Sequence, residues 1–254
     1  MVNTDSDVCD KNILLRGQVA VITGASRGIG RSIAKKLAAY GIRLVLVARS
    51  FVDLKNLADE IKTTWGDESL VVQADISTVA GVEEVKTRVF SHFAHVDILI
   101  NNAGVGKYAP FLSCTIEDYE WMMNTNMRGS FLCTQAFLPD MIHRKQGWII
   151  FIGSVSGLKG KSYEVVYCAT KFAQAGFAQA LDYEVRRKGI KVTLIAPGSV
   201  RSNFAMGHGR SQKDMKRCDI LNPEDVADAV CFALQQPPHA RVFCIDMRSM
   251  VETL

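Results

Sequence analysis

The sequence predicts an α/β fold: a doubly wound parallel β-sheet of about seven strands with helices on both faces. Three observations carry this. Short runs rich in Val, Ile and Leu alternate with longer amphipathic stretches to the end of the chain, the pattern of repeated strand–helix–strand units. Several runs are apolar at every position, as strands buried on both faces are. The first run leads into a glycine-rich turn and then a helix.

The first strand is predicted over 18–23, a β-branched run. It enters a turn carrying Gly24, Gly28 and Gly30, with Ser26, Arg27 and Ile29 between them. Glycine there lets the backbone turn tightly and lets a pyrophosphate approach the free N–H groups of the next helix, over 31–40. Gly41 ends that helix, and the run 43–48 is the second strand. Dinucleotide folds that take NAD place an acid at this strand's end, to bind the ribose hydroxyl. Here the position holds Ala48, Arg49 and Ser50, and the nearest carboxylate, Asp53, lies a turn into the next helix. Arg49 and Arg27 together suit a 2′-phosphate, which favours NADP over NAD; the alternative is that both are merely solvated.

An amphipathic helix follows over 54–64, then a third strand over 69–74 closed by Asp75 and Ile76. Asp75 suits either an adenine amino group or the cap of the next helix, 79–94. The helix turns Val82, Val85, Val89 and Phe93 toward the sheet. The fourth strand, 96–100, ends in Asn101, Asn102, Ala103 and Gly104. Small and amide residues fit the crevice at a strand's carboxyl end, and an Asn there is equally suited to tying strands together. Thr115 caps a long helix to about 141, with Glu117 and Asp118 favourable to its dipole. Asn126 sits inside it, where Asn marks a bend or a site.

The fifth strand, 148–153, ends at Ser154, and a second long helix covers 164–188. Tyr167 and Lys171 stand on one face of it, a turn apart. An ammonium beside a phenol lowers the phenol's pKa from about 10, so this pair is expected to form an acid/base device for exchanging a proton with a carbonyl or alcohol oxygen. The Ser154 hydroxyl is placed to hold the same oxygen. Gly189 stops the helix, a sixth strand covers 190–196, and Pro197 and Gly198 break the chain. Residues 199–218 carry the basic side chains Arg201, Arg210, Lys213, Lys216 and Arg217 and read as a mobile flap over the crevice. A helix starting near Pro223 and a last strand over 241–245 complete the pattern.

Composition narrows the function classes. The 254 residues carry a formal charge of +4 with no basic run interleaved with aromatics, which gives no support to nucleic-acid binding. Seven cysteines lack metal-ligand spacing and read as buried thiols of a reducing compartment. No apolar run approaches the length of a membrane span, and the first sixteen residues are polar, without the apolar core of a signal peptide. The expectation is a cytoplasmic protein with a flexible extension over 1–16 and one domain over 17–254.

These motifs together resemble the short-chain dehydrogenase/reductase family, over about 17–246. The residues that carry the resemblance are the TGASRGIG run at 23–30, NNAG at 101–104, Asn126, Ser154, Tyr167 with Lys171, and Pro197 with Gly198. It implies a Rossmann-type domain binding NADP(H), and hydride transfer between a carbonyl and a primary or secondary alcohol. It implies that Tyr167 is the acid/base, Ser154 orients substrate, Lys171 lowers the tyrosine pKa and holds the nicotinamide ribose, and Asn126 anchors a water relay. It further places Asp75 and Ile76 near adenine, Asn102, Ala103 and Gly104 along the cofactor, and Val200 and Ser202 near the nicotinamide amide. Members associate as homotetramers or homodimers through two long helices, here about 115–141 and 164–188.

The substrate is less constrained. Residues 241–250 lack the carboxyl-terminal pattern of many 3-oxoacyl-[acyl-carrier-protein] reductases and look more like reductases and dehydrogenases of small carbonyls, hydroxy acids or related alcohols. The acyl-carrier-linked reductase and a catalytically idle, NADPH-binding regulatory protein are the competing readings.

Overall fold

The computed structural model describes residues 15–215 and 220–251. Most of the predicted extension and residues 216–218 of the predicted flap lie outside them. The strands are β1 (Val19–Thr23), β2 (Arg43–Ala48), β3 (Leu70–Gln73), β4 (Ile98–Asn101), β5 (Gly147–Ile152), β6 (Ile190–Pro197) and β7 (Cys244–Met247). They form a 7-stranded sheet in the order β3-β2-β1-β4-β5-β6-β7. Every neighbouring pair is parallel.

The helices are α1 (Gly28–Ala39), α2 (Phe51–Trp65), α3 (Val79–His92), a composite α4 (116–144), α5 (Val165–Val185) and α6 (Pro223–Leu234). Alternate residues of each central strand feed two different cores. Ala20 and Ile22 of β1 pack with Ile33 and Leu37 of α1, Leu54 of α2 and Val230 of α6. Val19 and Val21 pack on the other face with Val85 and Val89 of α3, Phe137 of α4 and Leu181 of α5. Each fully buried Val, Leu, Ile or Phe side chain among them contributes about 1.5–3 kcal/mol of apolar transfer. The sheet is therefore apolar at successive positions because both its faces are covered, as the unbroken runs predicted.

Several bounds shift by one to three residues, and two of the differences have a visible structural character. The helix predicted over 115–141 is α-helical over Ile116–Met123, a π-turn over Asn124–Arg128, and α-helical again over Gly129–Arg144. The last strand is Cys244–Met247 rather than 241–245. Arg241 instead directs its guanidinium to the buried Asp182 of α5, with bonds of 2.7 and 2.8 Å. The chain between Arg241 and β7 still meets β6, where the Val242 carbonyl accepts from Thr193 Oγ1 and the Phe243 carbonyl from Leu194 N.

Chain direction sets the position of the site. From β1 the chain moves outward through β2 and β3; from β4 it moves the opposite way through β5, β6 and β7. The connections leaving β1 and β4 therefore diverge, and a crevice opens at the carboxyl ends of these adjacent strands. Among the described residues no helix is long and apolar enough to cross a membrane.

Candidate active site

The glycines after β1 are required by close approach. Gly24 (φ +66°) and Gly28 (φ +55°) occupy the left-handed region. A Cβ at Gly24 would stand 2.8 Å from the Ala103 Cα and 2.9 Å from the Asn102 Nδ2; one at Gly30 would run into the Gly24 carbonyl oxygen. The spacing thus packs the turn against the end of β4. Asn102 Nδ2 donates to the carbonyls of Thr23 (2.8 Å) and Gly24 (3.2 Å), while Thr23 Oγ1 accepts from the backbone N–H groups of Asn102 and Ala103. Of the two roles open to the amides after β4, the observed one at Asn102 is the tie between strands.

Three helices have a side chain that caps their first turn: Ser50 for α2, Thr78 for α3 and Thr115 for α4; α5 has none, and at α6 Asp225 accepts from Asn222 N instead. The first turn of α1 has no side-chain cap, and it borders a cavity of about 550 Å³. Its free N–H groups and the glycine cradle fit the phosphates of a dinucleotide. Asp75 is not the cap of α3. Its Oδ1 accepts from Ser77 N and Oγ in a local turn, and Thr78 takes the capping position because its hydroxyl reaches Gly81 N.

The cavity is lined by every residue predicted to contact a cofactor: Gly24, Ser26, Arg27, Gly28, Ile29, Gly30, Arg49, Asp75, Ile76, Asn102, Ala103, Gly104, Tyr167, Lys171, Pro197, Gly198, Val200 and Ser202. Arg27 and Arg49 are exposed at one end, with Asp53 lining the same mouth. Ser202 stands over Gly28, 3.2 Å from the position of an added Cβ.

At the other end stand Ser154, Tyr167 and Lys171. Ser154 follows β5, and its side chain accepts from Ser156 N at 3.1 Å and is hydrogen-bonded to Tyr167. Lys171 is buried; its Nζ donates to the Ile152 carbonyl (2.9 Å) and to Gln174 Oε1 (3.0 Å). Asn126 lies behind the cavity in the π-turn, fully buried. Its Oδ1 accepts from Val105 N, and its Nδ2 donates to the Val105 carbonyl and to Thr170 Oγ1 of α5.

Burial dominates the electrostatics here. It holds the Tyr167 phenol above the ordinary tyrosine range, while the Ser154 hydrogen bond pulls the other way. Burial also lowers Lys171 to about 7. In this arrangement burial outweighs the influences that would bring the phenol down. The physical reason is that both groups leave water, and desolvation penalises each one's charged form.

Sequence reasoning missed three residues around this end. Tyr108 and Phe204 set their rings 5.7 and 5.6 Å from that of Tyr167. They form an aromatic wall brought in by the loops after β4 and β6. Gln174, fully buried beside Lys171, had one available signal: it stands three residues further along the same helix. The predicted flap runs through turns and a short helix, Gln212–Met215. Lys213 is exposed, whereas Arg210 is half-buried and lines the cavity. Arg210 Nη2 donates to the Val200 carbonyl at 3.1 Å.

Residues 18–213 match the short chain dehydrogenase family, and the chain belongs to it. A relative described as an uncharacterized oxidoreductase, from Staphylococcus epidermidis, is 36% identical over 234 residues, covering 92% of this chain and 98% of that one. Among solved structures, the alcohol dehydrogenase from the archaeon Thermococcus sibiricus, complexed with 5-hydroxy-NADP, superposes with a TM-score of 0.86 at 30% identity. The match covers 94% of this chain and 99% of that one. The 3-ketoacyl-(acyl-carrier-protein) reductase from Brucella melitensis, complexed with NADH, does so with a TM-score of 0.83 at 29% identity, covering 92% and 98%. The protein is an oxidoreductase of this family, with a Rossmann-like fold.

Proposed function

We propose that this protein interconverts a small ketone or aldehyde and its alcohol with NADP(H), and that Tyr167 exchanges the proton. The observation that carries the reading is the hydrogen bond between Ser154 and Tyr167 beside buried Lys171, in a cavity that starts at the uncapped turn of α1.

A bound nicotinamide supplies or accepts the hydride. Ser154 holds the substrate oxygen by its hydroxyl, and the Tyr167 phenol gives that oxygen a proton in reduction or takes one in oxidation. Lys171 stabilises charge developing on the phenol and holds the nicotinamide ribose. Asn126 fixes the turn behind Lys171 and anchors a water relay. The Gly24–Gly30 turn holds the phosphates, Asp75 and Ile76 face adenine, and Val200 and Ser202 meet the nicotinamide amide.

NADP is preferred because Arg27 and Arg49 stand exposed at the mouth and the end of β2 carries no acid. Asp53 at the same mouth works against this preference, which makes the two arginines the point to test. Two copies or four associate through α4 and α5, whose exposed Tyr119, Phe131, Phe172 and Tyr183 offer apolar area.

The test is to follow nicotinamide absorbance with purified protein, NADPH or NADH, and a panel of small ketones, aldehydes and oxo acids. NADPH-dependent reduction of panel members is the expected result. Binding of NADPH with no turnover of any carbonyl or alcohol would leave a nucleotide-binding protein without this activity.

A further inference from the structure

An amide in the middle of a packed helix is costly unless its hydrogen bonds are made. Gln174 of α5 is 0% exposed, and its bonds run in one direction. Its Oε1 accepts from Lys171 Nζ at 3.0 Å, and its Nε2 donates to Ser130 Oγ at 2.9 Å. Ser130 Oγ in turn donates to the Asn126 carbonyl at 2.8 Å. A hydroxyl has one hydrogen. Since Ser130 gives it to Asn126, it must accept from Gln174, and this turns the amide oxygen toward Lys171. A longer contact, 3.5 Å, runs from Nε2 to the Asn126 carbonyl.

We propose that Gln174 is a positioning residue of this site, an amide strut that fixes the Lys171 amine and ties it to Ser130 and the Asn126 carbonyl. The proposal rests on Lys171 being a working residue of the site. The strut is the second of two ties between α5 and the π-turn; the first is Asn126 Nδ2 to Thr170 Oγ1, at 2.9 Å. An apolar residue at 174 would fill the space and leave Lys171 with the Ile152 carbonyl as its one protein acceptor.

The strut has a consequence for protonation. Burial disfavours the ammonium form of Lys171, and an acceptor aimed at its nitrogen works against that penalty. The other ionisable groups lining this end of the cavity are Tyr167, Glu164 and Lys161 at and before α5, Tyr108 across it, and Arg210 and Asp214 from the loop after β6. None of them is altered by substitution at 174.

The experiment follows the 13Cε resonance of labelled Lys171 against pH in the wild type, Gln174→Met and Gln174→Glu, assigning it by its loss in Lys171→Met. The Met variant keeps the volume and removes the acceptor, so its midpoint should fall by about one pH unit. The Glu variant replaces a neutral acceptor with an anion, so its midpoint should rise by about one unit or more. Opposite shifts support the strut. Coincident titrations, or shifts of the same sign, overturn it. If Gln174→Met does not fold, the sign from Gln174→Glu decides. The readout needs no substrate: failure of the carbonyl panel leaves this result standing, and failure here leaves turnover by the wild type unaffected.

Discussion

Lys171 places its amine 6.0 Å from the centre of the Tyr167 ring and bonds away from it, to Ile152 and Gln174. The two side chains share a helix face, yet each is anchored to a different neighbour: Tyr167 to Ser154, Lys171 to a strand carbonyl and an amide. The phenol is held in its protonated form by burial, which is the form that donates a proton to a carbonyl oxygen.

Replacing Tyr167 by Phe removes that donor and little volume. Turnover of any carbonyl accepted by the wild type should fall by roughly 10²–10⁴-fold, the usual worth of general acid catalysis. NADPH affinity, read by titrating nucleotide fluorescence, should change only slightly. Retained turnover would remove Tyr167 from the mechanism.

Arg49→Asp puts an anion where a 2′-phosphate is proposed to lie. NADPH binding should weaken by roughly ten- to a hundredfold, the worth of a charged hydrogen bond, while NADH binding holds or improves. Calorimetric titration with both nucleotides decides this. An unchanged NADPH to NADH ratio would mean that the arginine is simply solvated.

Gly30→Ala tests the packing of the turn. The added methyl would meet the Gly24 carbonyl oxygen and the Asn102 amide, both held in a hydrogen-bonded tie. Overpacking of this kind costs about 1–3 kcal/mol. Chemical denaturation should show the loss, and nucleotide affinity should drop with it because the cradle is displaced. A variant as stable as the wild type would show that the turn has room to relax.

The pH dependence of stability follows from Lys171. Its folded pKa of about 7 lies below the 10.5 of a free lysine, so between these values the unfolded chain binds more protons. Unfolding free energy therefore rises with pH across that window, and the cost of the buried charge is full below it. Lys171→Met abolishes the term, which is on the order of a few kcal/mol. The melting temperature of the variant minus that of the wild type should decrease as pH rises from 7 to 10. A difference that stays flat would mean that Lys171 is charged in the folded protein throughout.

Much of the fold was legible because its signals are local. Strand β2 has the bounds read from its apolar run, since Gly41 precedes it and polar residues follow it. Thr115 caps α4 as expected, and Asp118, three residues on, returns a bond to the cap backbone. The glycine spacing, Ser154 at a strand's end and the Tyr167–Lys171 step were visible for the same reason.

What stayed hidden depends on residues far apart in the chain. The π-turn around Asn126 is held by Val105 and Thr170, and the wall of Tyr108 and Phe204 joins loops after two different strands. By itself the sequence determined the alternation of strands and helices, the glycine cradle and the identity of the polar groups at the site, because each follows from residues within a turn or two of one another. Tertiary structure decided how Tyr167 and Lys171 ionise and that Gln174 meets Lys171 and Ser130. Desolvation and hydrogen-bond partners are set by whatever distant segments pack against a side chain, and spacing along one helix does not contain that information.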